Sequence, residues 1–268
     1  MIVCLCGVNG PELEGAENHH LPPVPSQREL KFIDAAAKDI LPVDPTPSLE
    51  EIAAQPDVAE QGAPGPAPQQ PPRPLRVIVI GNDSALSAVA TRLMRADIMW
   101  VELAYVPTDP ASPAAQVLGL PDTPSQCLVQ AVKGDAKPMP LIRDDAGIAL
   151  MGAATITQAG AGQLTGEIVI DNDVLISHHA QTGLFGRAKK TGPKGARIVP
   201  TTDAPGLAGV ALHNEDLTAD ASSVLTGRAA QAGGPALTVT VDGIQRPRSV
   251  EKVTFYRHLR DAQVVRPD

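Results

Sequence analysis

The sequence predicts two units, a Rossmann-like α/β unit with a parallel sheet followed by an antiparallel β-sandwich. Residues 75–80 and 101–106 are short, mostly apolar runs, which is typical of strands buried on both faces of a parallel sheet. Between them lie a glycine turn and a segment whose apolar residues recur at helical spacing. Later in the chain, apolar runs follow one another without helices between them, a pattern typical of antiparallel sheets. We therefore expect an α/β unit at 1–122, with a proline-rich surface loop at 61–75, and a β-sandwich at 123–268.

Composition and charge exclude some classes of function. The 268 residues are 43% hydrophobic but only 2% aromatic, so the cores must be built mainly from aliphatic side chains. The net charge of −8 argues against a general nucleic-acid binder. No apolar run approaches the roughly 18 residues that a membrane-spanning helix needs, and three cysteines do not make a disulfide framework. We expect a reduced, cytoplasmic protein without a membrane span.

The N-terminal residues 2–6 form a candidate first strand that carries Cys4 and Cys6 on one face. These thiols could bind zinc together with His19 and His20, since thiolates and imidazoles are zinc ligands. They could equally pack in the core, as buried cysteines commonly do. The spacing matches no compact zinc module, so we favour core packing.

Two S-x-x-E patterns, at 26–29 and 48–51, are typical of helix capping boxes and predict helices at 26–40 and 49–54. Six prolines follow between residues 61 and 75. They indicate a polyproline-like linker or surface loop, with a ligand for a proline-recognising partner as the alternative. We favour the loop.

The turn at 81–85, with the sequence GNDSA, is the first candidate site. Turns between a parallel strand and its following helix bind ligands, because free N–H groups and the positive helix end point out of them. Asn82 tolerates a left-handed conformation, whereas Ser84 and Ala85 place Cβ atoms where a phosphate would sit. Asp83 could hold a nucleotide phosphate through magnesium or cap the helix, and we favour the cap.

These residues carry a resemblance. The stretch 75–121 resembles the nucleotide-binding half of the diacylglycerol kinase catalytic domain, in the superfamily of diacylglycerol, sphingosine and NAD kinases. That family has a GGDGT loop after its strand and then a P-x-G-T-x-N-D-x-A-x-x-L-G-x-P element. Here GNDSA replaces the loop, and residues 107–121 keep only the ends of the element, with Asp109-Pro110 for Gly-Thr and Ser112-Pro113 for Asn-Asp. The resemblance implies ATP and Mg²⁺ as cofactors, and a last strand that returns to the first domain.

The second unit is predicted to consist of short strands. Asp171-Asn172-Asp173 has good hairpin-turn chemistry. Asp144-Asp145 could bind a cation, but their place before a glycine favours a turn. The strand-like runs are 127–132, 147–156, 166–170, 174–177, 196–199, 237–241, 249–256 and 262–267.

Residues 239–243, VTVDG, resemble the strand that carries the family's D-G-E motif. The resemblance implies that the Glu of this motif is the general base for the acceptor hydroxyl, and Ile244 stands in its place here. Isoleucine cannot accept a proton. Actinobacterial members of the group have L-I-R-D-D-x-G, T-G-E and T-F-Y-R-H elements, which segments 141–147, 165–167 and 254–258 resemble.

The resemblance implies a nucleotide site, but the substitutions remove its chemistry. We expect a diacylglycerol kinase-like protein that is weak or inactive as an enzyme, without catalytic or metal-binding residues, and that binds a ligand or partner. The alternative is an active, ATP- and Mg²⁺-dependent lipid kinase. The candidate nucleotide-binding residues are Gly81, Asn82, Asp83, Ser84, Asp109 and Ser112.

One segment concentrates positive charge. It could be a solvated hairpin tip, which we favour, or it could contact phosphate or lipid headgroups. Peripheral lipid contact, a small-molecule or protein partner and a homodimer all stay open. The basic residues are Arg187, Lys189, Lys190, Lys194 and Arg197.

Overall fold

The computed structural model describes residues 1–10, 12–56, 61–160, 162–178 and 192–267. The helices are α1 (Lys31–Ile40), α2 (Leu49–Ala53), α3 (Asp83–Arg95), α4 (Pro113–Val117) and α5 (Pro124–Lys133), with a 3-10 turn at Ala221–Ser223. The strands of the first half are β1 (Ile2–Cys6), β2 (Glu17–Leu21), β3 (Arg76–Gly81), β4 (Glu102–Pro107), β5 (Ala136–Met139), β6 (Ile142–Asp144), β7 (Ala149–Leu150), β8 (Ala154–Gln158) and β9 (Gly166–Ile170). The remaining strands are β10 (Asp173–His178), β11 (Gly195–Pro200), β12 (Leu207–His213), β13 (Thr218–Ala219), β14 (Leu225–Gly227), β15 (Ala229–Val241), β16 (Ile244–Gln245), β17 (Val250–Arg257) and β18 (Ala262–Val265).

The first sheet has six strands in the order β2-β1-β3-β4-β18-β5. All neighbours pair in parallel except β5, which is antiparallel to β18. In β1, Ile2, Cys4 and Cys6 pack in the cluster under α1 and α3, and the alternate residues Val3 and Leu5 pack in the cluster under α5. The apolar strands are therefore buried on both faces, as the sequence predicts.

The first sheet extends beyond the predicted boundary at residue 122, because it includes β5. The chain then leaves for the second sheet and returns as β18, so the predicted return of the last strand is confirmed. The strand predicted at 127–132 is wrong. This run lies in helix α5, where Thr123 caps the first turn and the apolar Cys127 and Ala131, four residues apart, are buried.

The second sheet is a large, curled antiparallel sheet that matches the predicted all-β unit. Its longest strand, β15, has 13 residues and pairs with β17 along one edge. Along the other edge it pairs first with β9 and then with β8, and the change falls between Gly233 and Leu237. The predicted hairpin at 171–173 is confirmed, because β9 and β10 are antiparallel on either side of Asp171 and Asn172.

The run predicted as one strand at 147–156 is split into β7 and β8. The residues between the two strands, 151–153, donate their backbone N–H groups to a side chain, Asp242, and not to a neighbouring strand. The split therefore results from a tertiary contact that apolar periodicity does not reveal.

The N-terminal region differs from prediction in two places. Strand β2, with the polar sequence ENHHL, was not predicted; it is an edge strand in which His19 stacks on Phe32 at 3.7 Å. The pair Ser26 and Glu29 exchanges the expected hydrogen bonds, but α1 begins only at Lys31. The capping box of Ser48 and Glu51 is formed and opens α2.

The two N-terminal cysteines pack in the core of the α/β unit. Cys4 and Cys6 are free and buried, and burial raises the pKa of Cys6 to about 12. Among the residues that the structure describes, no three His, Cys, Asp or Glu side chains are grouped as metal ligands. None of the helices in that part of the chain is long and apolar enough to cross a membrane.

The hairpin turn at Asp171 provides a test of the fold. Asp171 has φ of +49° and accepts hydrogen bonds from the N–H groups of Arg228 and Ala229. We expect Asp171→Gly to lower the free energy of unfolding by about 1–2 kcal/mol, through the lost hydrogen bonds. Asp171→Ala should cost about 1 kcal/mol more, because alanine is strained at this φ whereas glycine is not.

Urea denaturation of both variants would measure this difference, with Asp173→Ala in the same hairpin as the control. Equal stability of the Gly and Ala variants would contradict the assigned turn geometry.

Candidate functional site

A cleft of about 480 Å³ opens between the two units. The α/β unit contributes the ends of β3 and β4 with the starts of α3 and α4, and the β unit contributes the turn after β15. Five of the six candidate nucleotide-binding residues line this cleft: Asn82, Asp83, Ser84, Asp109 and Ser112. Gly81 lies below it, where its carbonyl accepts hydrogen bonds from Tyr105 Oη and from the Thr108 amide. What these residues bind stays a prediction.

Helix α3 is capped by Asn82, not by Asp83. Asn82 has extended backbone, with φ of −93°, and its Oδ1 accepts hydrogen bonds from the Ala85 amide and the Ser84 hydroxyl. The cap predicted at Asp83 is therefore wrong by one residue. Asp83 is the first residue of the helix, which directs its side chain toward β4 and α4.

Asp83 is 8% exposed and accepts three hydrogen bonds from the protein. Its Oδ1 accepts from Tyr105 Oη at 2.8 Å and from Ser112 Oγ at 2.7 Å, and its Oδ2 accepts from the Ala114 amide at 3.0 Å. Burial raises the pKa of Tyr105, and the neighbouring charge of Asp83 raises it further. The carboxylate thus joins the β3–α3 turn to β4 and α4.

Ser112 and Pro113, which replace the Asn-Asp of the resembling family, begin a helix. Ser112 caps α4, where its hydroxyl accepts from the Ala115 amide at 3.3 Å, and Pro113 occupies the first helical position. Proline suits that position because the helix does not need its N–H there. The substituted residues therefore have a structural role.

On the opposite wall, Asp242 is 5% exposed and accepts from the amides of Met151, Gly152 and Ala153 at 2.8–2.9 Å. Burial raises its pKa to about 7; these three hydrogen bonds oppose the rise, and the charge of Asp83 adds to it. Our sequence-based site omitted Asp242 and Tyr105. The Asp-Gly pair at the end of an apolar strand was a signal for Asp242, but a tyrosine inside β4 gave none.

The two buried carboxylates are neighbours across Gly152. A Cβ atom on Gly152 would lie 2.9 Å from Asp83 Oδ2, 3.0 Å from Asp242 Oδ1 and 2.7 Å from the Ala114 amide nitrogen. The backbone at 151–153 therefore fills the space between the units, next to both acids.

The three carboxylates among the described residues that line the cleft all accept hydrogen bonds from the protein. Asp83 and Asp242 each accept the three hydrogen bonds described above, and Asp109 accepts one from the Ala111 amide at 2.9 Å. Ile244, at the position of the family's Glu, is 50% exposed at the rim. No Lys, Arg or His is among these lining residues, so the charge facing the cleft is negative.

An apolar chamber of about 570 Å³ adjoins the polar cleft, and Val24, Ser84 and Ile244 line both. One wall is the face of α3 that carries Ser87 and Thr91. Their hydroxyls are bound internally, since Ser87 Oγ donates to the Ala149 carbonyl and Thr91 Oγ1 accepts from the Ala149 amide. The side chains consequently add little polarity to the chamber, whose opposite wall includes Ile148, Val241 and Val250.

Arginines stand at the edge of the apolar chamber. Arg246 pairs with Asp144 at 2.6 Å and with Asp145 at 2.5 Å, and Arg248 lies nearby. Asp144 also accepts from the Ile148 amide and closes the hairpin between β6 and β7. This agrees with the turn interpretation of Asp144-Asp145.

The predicted basic segment is mostly outside the described residues, which exclude Arg187, Lys189 and Lys190. Of its other members, Lys194 pairs with Glu215, and Arg197 is exposed on β11. The structure brings neither of them to the cleft.

Comparison with solved structures identifies the fold. A proposed diacylglycerol kinase from Bacillus anthracis str. Sterne matches with a TM-score of 0.62 over 99% of this chain and 96% of that chain, at 9% identity. A diacylglycerol kinase from the same organism matches with a TM-score of 0.52 over 72% of this chain and 75% of that chain, at 12% identity. The predicted resemblance is thus confirmed at the level of the fold. No protein-family model and no curated protein matches the sequence.

Two buried groups give this protein opposing pH dependences. Burial, together with Arg143 and Arg260, lowers the pKa of His258 from 6.5 to about 4. The folded protein then binds fewer protons than the unfolded chain between these values, so stability increases with pH. The pKa of Asp242 is raised from 3.8 to about 7, so the folded protein binds more protons there and stability decreases with pH.

His258 and Asp242 each change the free energy of unfolding by at most about 1.4 kcal/mol per pH unit, in opposite directions. We expect the two contributions to offset each other from about pH 4.5 to 6.5. Asp242→Asn should leave a stability that increases with pH, and His258→Gln one that decreases. Urea denaturation across this range tests both, with the exposed His20→Gln as control. Parallel pH profiles for the two variants would contradict the assignment.

Proposed function

We propose that this protein is a kinase-fold binding protein that holds a neutral amphiphile between its two units and does not transfer phosphoryl groups. The main support is that Asp83 and Asp242 each accept three hydrogen bonds from the protein itself. These acids therefore act as links within the fold, and the residue beside them, Ile244, has no proton-accepting group.

Phosphoryl transfer needs bound phosphate oxygens, a metal ion and a positioned base. The residues present do not fit these needs. The charged residues that line the polar cleft are all acidic and repel a polyphosphate, and Asn82 and Ser84 stand where the loop of the resembling family has glycines. We therefore assign no step to ATP or Mg²⁺.

The shape of the combined cleft supports an amphiphilic ligand. A polar part and an apolar chamber adjoin each other, and the chamber volume of about 570 Å³ is in the range of small-molecule sites. An uncharged hydroxyl can donate to the cleft carboxylates, whereas an anionic head would be repelled. Diacylglycerol, the lipid for which the similar kinases are named, has this chemistry: a hydroxyl head and apolar chains.

An active ATP- and Mg²⁺-dependent lipid kinase is the second candidate. The observation that favours it is the fold match over almost the whole chain to a proposed diacylglycerol kinase. The two candidates differ in whether nucleotide binds.

We expect millimolar MgATP to leave the thermal unfolding temperature unchanged. A ligand at about 100 times its dissociation constant would add about 2.7 kcal/mol to the stability, so binding in the micromolar range would be detected. Labelled γ-phosphate should also not reach a short-chain diacylglycerol. A stabilising shift together with labelled lipid would establish the kinase instead.

We expect short-chain diacylglycerol to raise the unfolding temperature, and Ala88→Phe to remove that shift by filling the chamber. Ala88 lines the chamber on α3 and is only half-buried, so the larger ring should be tolerated by the fold. Affinity should fall at least about tenfold, which corresponds to 1.4 kcal/mol. Ala35→Phe on the exposed side of α1 is the matched control. Equal lipid binding by both variants would place the lipid elsewhere or show it to be non-specific.

A further inference from the structure

The two units are connected by a narrow ribbon of two chain segments. The chain enters the second sheet between Met139 and Ile142 and returns between Arg257 and Ala262. The crossings lie side by side, because Arg257 is opposite Ile142, Ala262 is opposite Met139, and the His258 amide donates to the Leu141 carbonyl at 2.7 Å. Any change in the angle between the units must bend this ribbon.

Residues 61–65, at the start of the proline-rich segment, are bound to the returning crossing. Gln61 Nε2 donates to the His258 carbonyl at 2.7 Å, and Arg257 Nη1 donates to the Gly62 carbonyl at 2.7 Å. The Gly65 amide donates to Asp261 Oδ2 at 2.9 Å. Three hydrogen bonds thus join a segment of the α/β unit to the point where the β unit ends.

The contact to Arg257 is the strongest of these constraints. Its side chain is 2% exposed and also pairs with Asp261 at 2.8 Å. A buried guanidinium needs a partner for each of its N–H groups, because an unsatisfied donor costs the full desolvation penalty. The Gly62 carbonyl is the partner of Nη1, so the guanidinium at the end of β17 keeps this partner only when residues 61–65 are seated.

The composition of the segment suits this role. Polyproline-like backbone makes no internal hydrogen bonds, so its carbonyls are available to other parts of the protein. Prolines at 64, 66 and 68 also stiffen the chain, and less conformational entropy is lost when it is seated. The Gly65 carbonyl additionally accepts from Gln263 Nε2 at 3.4 Å, on the far side of the crossing.

We infer that residues 61–65 are an interdomain brace, which fixes the angle between the two units and so sets the width of the cleft. The cleft has one wall in each unit, with Asp83 on one and Asp242 on the other. A brace on the two crossings of the ribbon controls their separation from a distance. This role does not depend on which ligand the cleft binds.

The test measures the angle directly with two spin labels. Val129→Cys on α5 and Val224→Cys in the β unit supply the sites, being 57% and 50% exposed. The three native cysteines are buried with raised pKa values, so they react slowly with the label. Gln61→Ala removes one contact of the brace, and Asp261→Ala removes the Gly65 contact and the partner of Arg257.

The labelled parent should give a single narrow distance distribution by pulsed electron resonance. Gln70→Ala, an exposed change in the same proline-rich segment, should give the same result. Gln61→Ala should broaden the distribution, and Asp261→Ala should broaden it further and shift it. Unchanged distributions in the folded variants would overturn the brace, and Gln61→Ala decides alone if Asp261→Ala does not fold.

Discussion

The interface between the two units depends on burying two carboxylates next to each other. A buried charge is stable only when its oxygens accept hydrogen bonds, and Asp242 obtains them from the backbone at 151–153. This requirement interrupts the sheet between β7 and β8 and places Gly152 in the interface, where a side chain would meet both acids. The cleft, its depth and its negative charge all follow from that arrangement.

Sequence periodicity was sufficient for the elements that a single strong pattern defines. The apolar run at 75–80 correctly predicted β3, and the apolar residues at helical spacing after it predicted α3. The turn residues around Asp171 predicted the hairpin. The prediction from periodicity was wrong for 127–132, because a short apolar run fits a buried strand and a half-buried helix equally well. Only the capping residue Thr123 distinguishes them, and it lies outside the run.

The sequence predicted where the site lies but not which hydrogen bonds its side chains form. The turn at 81–85 marks the edge where parallel strands end, which is a property of the chain order alone. Whether Asp83 faces solvent or Tyr105 depends on a contact between residues 22 positions apart in the chain, and no local pattern encodes that contact. The same limit applies to the hydrogen bonds of Asp242, whose partners are about 90 residues away.

The bonding also explains why the fold depends on these two acids. Removing Asp83 or Asp242 would leave buried N–H and O–H donors without partners, which costs about 1–3 kcal/mol for each group. A carboxylate at position 244 has no such role, because the side chain there is half exposed at the rim and an isoleucine is accommodated without strain on the fold. The acids with structural partners therefore remain necessary to folding whether or not phosphoryl transfer occurs. Their presence in a kinase-like frame is consequently poor evidence for catalysis, and the evidence that matters is which of their oxygen lone pairs are left for a substrate.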